Sequence, residues 1–226
     1  MRVPLAREGY PFIAIPAIPA VLAVAAAAYR DVTLLWILAA ALLLSTLCVA
    51  AFFRDPDRQG PRAEHLVLAP ADGKVVDIQH VEEPDFMNGP ALRLSIFLSL
   101  LDVHVNRYPV SGEVGLRTYN SGAFEPAWRG SASHSNERAT TGIQGSHGPF
   151  LVRQIAGLAA RRIVTYARPG ERVRQGERMG LIRFGSRVDV FMPADALPAV
   201  TVGEKAIGGV TVLAELRAPQ RQEDER

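Results

Sequence analysis

A mainly β fold behind two N-terminal apolar helices is the architecture this sequence predicts. Two observations carry it: where the apolar residues cluster, and how glycine, proline and asparagine punctuate the rest. Of 226 residues 48% are hydrophobic, and residues 11 to 53 contain only Arg30 and Asp31 as charged side chains. Val32 to Phe53 is an unbroken apolar run long enough to cross a bilayer, and Phe12 to Ala28 is a shorter one interrupted by Pro16 and Pro19. Joined at Tyr29-Arg30-Asp31, the two make a helical hairpin. Taken alone, the first run also fits a signal peptide, with Arg2 and Arg7 as its basic start. A second long apolar run following at once favours the hairpin.

Arg2 and Arg7 precede the hairpin and Arg54, Arg58 and Arg62 follow it, so the excess of positive charge puts both ends, and the domain beyond, on the cytoplasmic side of the cell membrane. A net charge of +2 gives no argument for nucleic acid. Cys48 is the one cysteine and lies in the second apolar run, which excludes internal disulfides and a CxxC redox site. No metal is expected. The tail from Ala218 to Arg226 is polar and predicted to be disordered.

Arg54-Asp55-Pro56 ends the second helix, because the residue before a proline disfavours helical angles. Short β-type runs follow at Lys74 to Val81, Ala91 to Leu100, Gly112 to Tyr119, Arg138 to Ile143, Phe150 to Ile155, Ala160 to Tyr166, Arg178 to Phe184 and Arg187 to Phe191. The expected division is therefore 1–54 for the hairpin, 55–217 for a β-rich domain and 218–226 for the tail. Within the domain, Ala71 to Val76 and Val110 to Val114 echo one another, each placing a glycine before a β-branched strand start. Pro169 to Gly180 has the turn-rich spacing of biotinyl- and lipoyl-like half-barrels, which points to a barrel-sandwich architecture. A membrane-anchored carrier or adaptor of that type is the rival reading. A carrier needs a lysine at an exposed hairpin tip, and Lys74 and Lys205, the only lysines, lack that setting.

The chemistry concentrates at Gly185-Ser186. A serine hydroxyl lies beside its own preceding carbonyl, and a glycine there admits the backbone angles that bring the two together. Rearrangement to an ester followed by elimination would leave a pyruvoyl group. Gly130-Ser131 and Gly145-Ser146 share the dipeptide, so its surroundings must distinguish it. Self-cleavage needs a base. Among His65, His80, His104, His134 and His147, His104 stands out in Asp102-Val103-His104-Val105-Asn106-Arg107, a polar cluster directly after an apolar strand. Asp72 occupies an Asp-Gly turn, by default a hairpin signal, and Asn136-Glu137-Arg138 reads either as a solvated strand start or as a place where the arginine holds an anionic group.

Phe52-Phe53-Arg54-Asp55-Pro56, Ala69-Pro70-Ala71-Asp72-Gly73-Lys74-Val75, Asp102 to Arg107, Asn136-Glu137-Arg138 and Phe184-Gly185-Ser186 occur in the order and spacing of phosphatidylserine decarboxylases. The chain resembles the short, bacterial and archaeal form of that family along nearly its whole length. The resemblance implies a proenzyme cleaved before Ser186, giving a β chain 1–185 and an α chain 186–226 that stay associated. Its cofactor would be the pyruvoyl group made from Ser186, and its product phosphatidylethanolamine. Asp72 and Ser186 match the family's processing aspartate and serine, and His104 the first histidine of its loop. Arg107 stands where long-form members have a second histidine. Arg138, Arg107 and Asn136 are the candidate substrate-binding residues. The implied partners are a phospholipid, of diacyl or archaeal-type ether kind, and the membrane, with a homo-oligomer left open.

Overall fold

The computed structural model describes residues 4–122, 136–157, 162–183 and 186–217. Phe184, Gly185, the segment Ala123 to Trp128, Gly130-Ser131 and the tail from Ala218 lie outside the described residues. The chain divides into two compact units, one through Asp57 and one from Arg58.

The first unit holds α1 (Tyr10–Arg30) and α2 (Thr33–Phe52). α1 runs through Pro16 and Pro19, although the sequence suggests an interruption there. Prolines of this kind persist in apolar helices when a neighbouring helix packs alongside. The packing surface is small: Ala20, Ala23 and Ala27 of α1 and Ala39 of α2 are buried, which lets the backbones approach closely. Asp31 closes α1 in the left-handed region at φ 51°, its N–H donating to the Ala27 carbonyl at 2.8 Å, a conformation a short polar side chain tolerates. Ile15, Leu34, Ile37, Leu44 and Leu47 stay exposed on the outside. Both helices are long and apolar enough to cross a membrane.

The second unit is β structure: β1 (Leu66–Leu68), β2 (Gly73–Glu83), β3 (Gly89–Leu98), β4 (Val105–Arg107), β5 (Gly112–Asn120), β6 (Arg138–Gly145), β7 (Gly148–Ala156), β8 (Ile163–Thr165), β9 (Arg172–Val173), β10 (Arg178–Ile182), β11 (Ser186–Pro193), β12 (Leu197–Pro198), β13 (Lys205–Ala206) and β14 (Val212–Glu215). They form an eight-stranded sheet in the order β13-β2-β3-β11-β7-β6-β5-β9 and two three-stranded sheets, β1-β14-β12 and β4-β10-β8. The large sheet is curled, and one of its faces encloses a core of Leu92, Leu94, Ile96, Leu98, Phe150, Val152, Val188, Val190 and Met192. Those residues alternate along their strands, which is the period-two pattern of a sheet with one face inward.

The echo in the sequence is a repeat in space. Gly73 opens β2 and Gly112 opens β5; a Cβ on either would strike the carbonyl of a facing strand, Phe97 or Gln144, together with an isoleucine Cγ2. Both strands then bulge two residues later, between Val75 and Asp77 and between Val114 and Leu116. Val75 exchanges backbone hydrogen bonds with Glu204 and Gly203, and Val114 does the same with Glu171 and Gly170. The large sheet therefore consists of two matching halves, β13-β2-β3-β11 and β7-β6-β5-β9, each with its own small sheet. In chain order the second half is inserted into the first: the chain leaves after β3, builds β4 to β10, and returns at β11.

Tyr108 directly follows β4 in the second half, its N–H donating to the Glu177 carbonyl and its own carbonyl accepting from Gly176. Burial, then the carboxylates of Glu171 and Glu177, push its hydroxyl up from 10.0 to about 12. The folded protein thus holds this proton more tightly than the unfolded chain does, so the contribution is complete below pH 10 and is lost as pH rises toward about 12. Melting temperature should fall across that window, and Tyr108→Phe should remove most of the slope.

Candidate active site

Ser186 is the first residue of β11 and is fully buried. It pairs with Leu98 at the end of β3 on one side and with Ala156 at the end of β7 on the other. Gly73 begins β2 at this same end of the sheet, with Phe97 against it. Strand termini from both halves thus meet around one serine. Its side chain shares the inward face with Leu98, Ile96, Val188 and Gln154, because directly paired residues and alternate residues project to the same side. Ser186 Oγ has no hydrogen-bond partner among the described residues.

The two crossings between the halves lie together. One runs from Leu98 to Val105 and carries His104; the other runs from Ile182 to Ser186. The Ile182 N–H donates to the His104 carbonyl at 3.3 Å, which ties the histidine segment to the segment entering Ser186. Within the first crossing, Asp102 Oδ2 accepts from the Ser99 N–H at 2.8 Å and the Ser99 hydroxyl at 2.6 Å, fixing the turn. His104 is buried, with Nδ1 at 2.9 Å from the Asp102 carbonyl. A carbonyl only accepts, so Nδ1 carries a proton, and in the neutral form of the ring Nε2 would carry the lone pair. Leu100 and Leu101, beside this site, are 56% and 85% exposed.

Asp72 reaches this end of the sheet at the entry to β2, two strand spacings from β11, or about 10 Å. Its Oδ2 accepts from Arg58 at 2.7 Å and its Oδ1 from the Gly208 N–H at 2.8 Å. The second contact has a counterpart in the other half, where Ser111 Oγ accepts from the Gln175 N–H at 2.9 Å. One oxygen of Asp72 therefore closes a turn that both halves share, while the other holds an arginine that the other half does not supply.

The three candidate binding residues separate. Asn136 is buried, its Nδ2 donating at 2.8 Å to the carbonyl of Ala156, the residue that pairs with Ser186. Arg107 donates from Nη1 to the Gly176 carbonyl at 3.1 Å, and its backbone N–H donates to Pro70 near the Asp72 turn. Arg138 pairs with Ile155, in line with Arg187, and so sits on the face of the sheet opposite Ser186. There it lines a cavity of about 710 Å³ with Glu83, Asp85, Arg93, Arg153 and Phe191. Burial lowers Arg153 below the ordinary arginine range, while Asp189, Glu83 and Asp85 pull it back and Arg138 opposes them.

Three features escape a reading of the sequence. Arg187, next to Ser186, is buried on the opposite face, its Nε donating to Asp189 Oδ1 at 2.6 Å and its Nη2 to Ser95 Oγ at 2.8 Å. Arg58 engages Asp72 across fourteen residues of chain. Gln154 Nε2 donates to Asn106 Oδ1 at 2.7 Å, joining β7 of the large sheet to β4 of a small one. Asn106 adjoins the histidine in a motif the sequence singles out, but nothing local pairs it with Gln154. No group of three His, Cys, Asp or Glu among the described residues is arranged to hold a metal ion.

Against known proteins, residues 46–214 match the family model for phosphatidylserine decarboxylase. Over 219 residues the chain is 47% identical to a phosphatidylserine decarboxylase proenzyme of Symbiobacterium thermophilum, covering 96% of this chain and 98% of that protein. A phosphatidylserine decarboxylase proenzyme of Paraburkholderia phymatum is 42% identical over 213 residues, covering 94% and 97%.

The Arg187–Asp189 pair anchors β11 directly behind Ser186. Removing one partner strands a buried charge, which typically costs about 3–5 kcal/mol. Asp189→Ala should therefore lower the melting temperature sharply in a thermal scan, and an unchanged melt would show that the pair does not hold the strand.

Proposed function

Because the chain belongs to the phosphatidylserine decarboxylase family, we propose that it cuts itself between Gly185 and Ser186 and decarboxylates phosphatidylserine through a pyruvoyl group left on residue 186. The reaction yields phosphatidylethanolamine and carbon dioxide. The observation that carries the assignment to Ser186 is its setting: a fully buried serine, its hydroxyl without a partner among the described residues, at the strand start where two crossings meet, one of them bearing His104.

The residues present suit a pyruvoyl group. Conversion turns the hydroxyl-bearing carbon into a methyl, and Leu98 and Ala156 flank it with apolar surface. When formed, the group supplies a carbonyl that takes up the bonding electrons as carbon dioxide leaves. His104, its Nδ1 proton held by the Asp102 carbonyl, presents Nε2 as the nitrogen that takes a proton from the serine hydroxyl or returns one to the substrate carbon. Asp72, held by Arg58, belongs to the processing machinery as the family pattern has it. Asn136, placed against Ala156, and Arg107, near the Asp72 turn, are the polar groups positioned for the substrate; Arg138 lines the opposite face. Cleavage leaves the α chain in place, because β11 pairs along its length with β3 and for six residues with β7, both in the β chain.

Two observations support a lipid substrate drawn from a membrane. The hairpin exposes apolar side chains along both helices, and Leu100 and Leu101 expose two more beside the site. With arginines flanking the hairpin, the catalytic domain lies on the cytoplasmic face of the cell membrane.

Mass measurement under denaturing conditions should find two fragments, the second starting at residue 186; an intact 24.5 kDa chain in an active preparation would overturn the pyruvoyl assignment. Ser186→Ala should abolish cleavage and carbon dioxide release together. For His104→Ala, loss of cleavage or a fall of roughly 100-fold or more in turnover is expected, and normal rates in both assays would remove His104 from the site.

A further inference from the structure

The repeat makes it possible to ask what differs between the halves. β1 and β4 occupy matching places in the two small sheets, and Val67 in the middle of β1 corresponds to Asn106 in the middle of β4. In the large sheet, His80 and Tyr119 correspond in β2 and β5; they pair with Leu92 and Ala139, which in turn pair with Met192 and Gln154. One half thus fills the two positions with Val67 and Met192, and the other with Asn106 and Gln154. All four are fully buried.

An apolar pair in one half shows that the fold does not require amides there. The amide pair is also incompletely satisfied: Gln154 Nε2 donates to Asn106 Oδ1, while Asn106 Nδ2 and Gln154 Oε1 have no hydrogen-bond partner among the described residues. Turning both amides over reverses the bond and leaves the same surplus, one donor and one acceptor. Buried polar atoms left this way destabilise a fold unless something else uses them. Ser186 Oγ is the third such atom here, on the same face of the adjoining strand. Gln154 pairs with Val188 and Ser186 pairs with Ala156, a diagonal relation that a long side chain spans.

We propose that Asn106 and Gln154 are catalytic residues of self-cleavage, their spare donor and acceptor hydrogen-bonding the atoms that change charge at Ser186. In that step Oγ bonds to the carbonyl carbon of Gly185, the bond from that carbon to the nitrogen of Ser186 breaks, and the hydroxyl proton ends on the freed amine. The oxygen that becomes negative on the way takes the spare amide N–H, which in a water-excluded pocket is a strong stabiliser. This inference rests on the assignment of Ser186 as the cleavage point.

The test copies the other half of the protein: Asn106→Val with Gln154→Met in the full-length chain, beside wild type and Ser186→Ala. Cleavage is followed by mass, folding by thermal melt, and ester content by adding hydroxylamine, which cuts esters. The double variant should melt at or above the wild-type temperature, because it replaces unsatisfied amides by the residues the repeat already accommodates. It should nevertheless cleave at least ten-fold more slowly, and hydroxylamine should not restore the rate, since the ester itself forms slowly. Wild-type cleavage in the double variant, or rescue by hydroxylamine, would overturn the inference while leaving Ser186 in place. Wild type that stays whole, or Ser186→Ala that is cut, would overturn both. Should the double variant fail to fold, Gln154→Met alone decides in the same way.

Discussion

The pairing of β11 on both of its edges is the constraint on which the rest depends. A strand start normally frays, but Ser186 begins a strand bonded to β3 on one side and β7 on the other, so its backbone position is set from its first residue. The Arg187–Asp189–Ser95 contacts pin the next residues from behind. Such double anchorage would matter more at the proposed cleavage point than in an ordinary strand. With the bond before Ser186 cut as proposed, nothing covalent would hold the new chain end, and the ladder and its buried ion pair would keep it in register.

The repeat explains why the candidate groups gather where they do. Inserting one half into the other forces the chain to cross twice between them, and the two crossings emerge at the same end of the large sheet. Crossing segments are free of ladder hydrogen bonds and can carry polar side chains, as the first carries the buried His104. The cost of this arrangement is local: Asn106 Nδ2, Gln154 Oε1 and Ser186 Oγ are buried with no hydrogen-bond partner among the described residues, each worth about 1–3 kcal/mol of destabilisation. Gln154 and Ser186 lie on one inward face of the large sheet, and Asn106 meets it from a small sheet.

Much of the architecture is legible along the chain. The hairpin follows from residues 11 to 53, which carry two charges, and its turn from those charges. The strands follow from alternation, and the repeat announces itself in the glycines that open β2 and β5. Prolines 16 and 19 mislead because local propensity weighs against them while helix packing decides. The Gly185-Ser186 motif, Asp72 and His104 are readable through their resemblance to a family, which adds what local spacing leaves open.

Sequence alone therefore determined the order of elements, the apolar anchor and which serine is distinctive, because these rest on side-chain periodicity and on motifs contiguous in the chain. Tertiary structure decided which residues share a face. Arg138, two residues from Asn136 in the chain, falls on the face opposite Ser186, while Gln154, distant in sequence from every motif, shares the face of Ser186 and joins Asn106. Alternation along paired strands assigns sides, and the register that sets that alternation comes from partners remote in sequence.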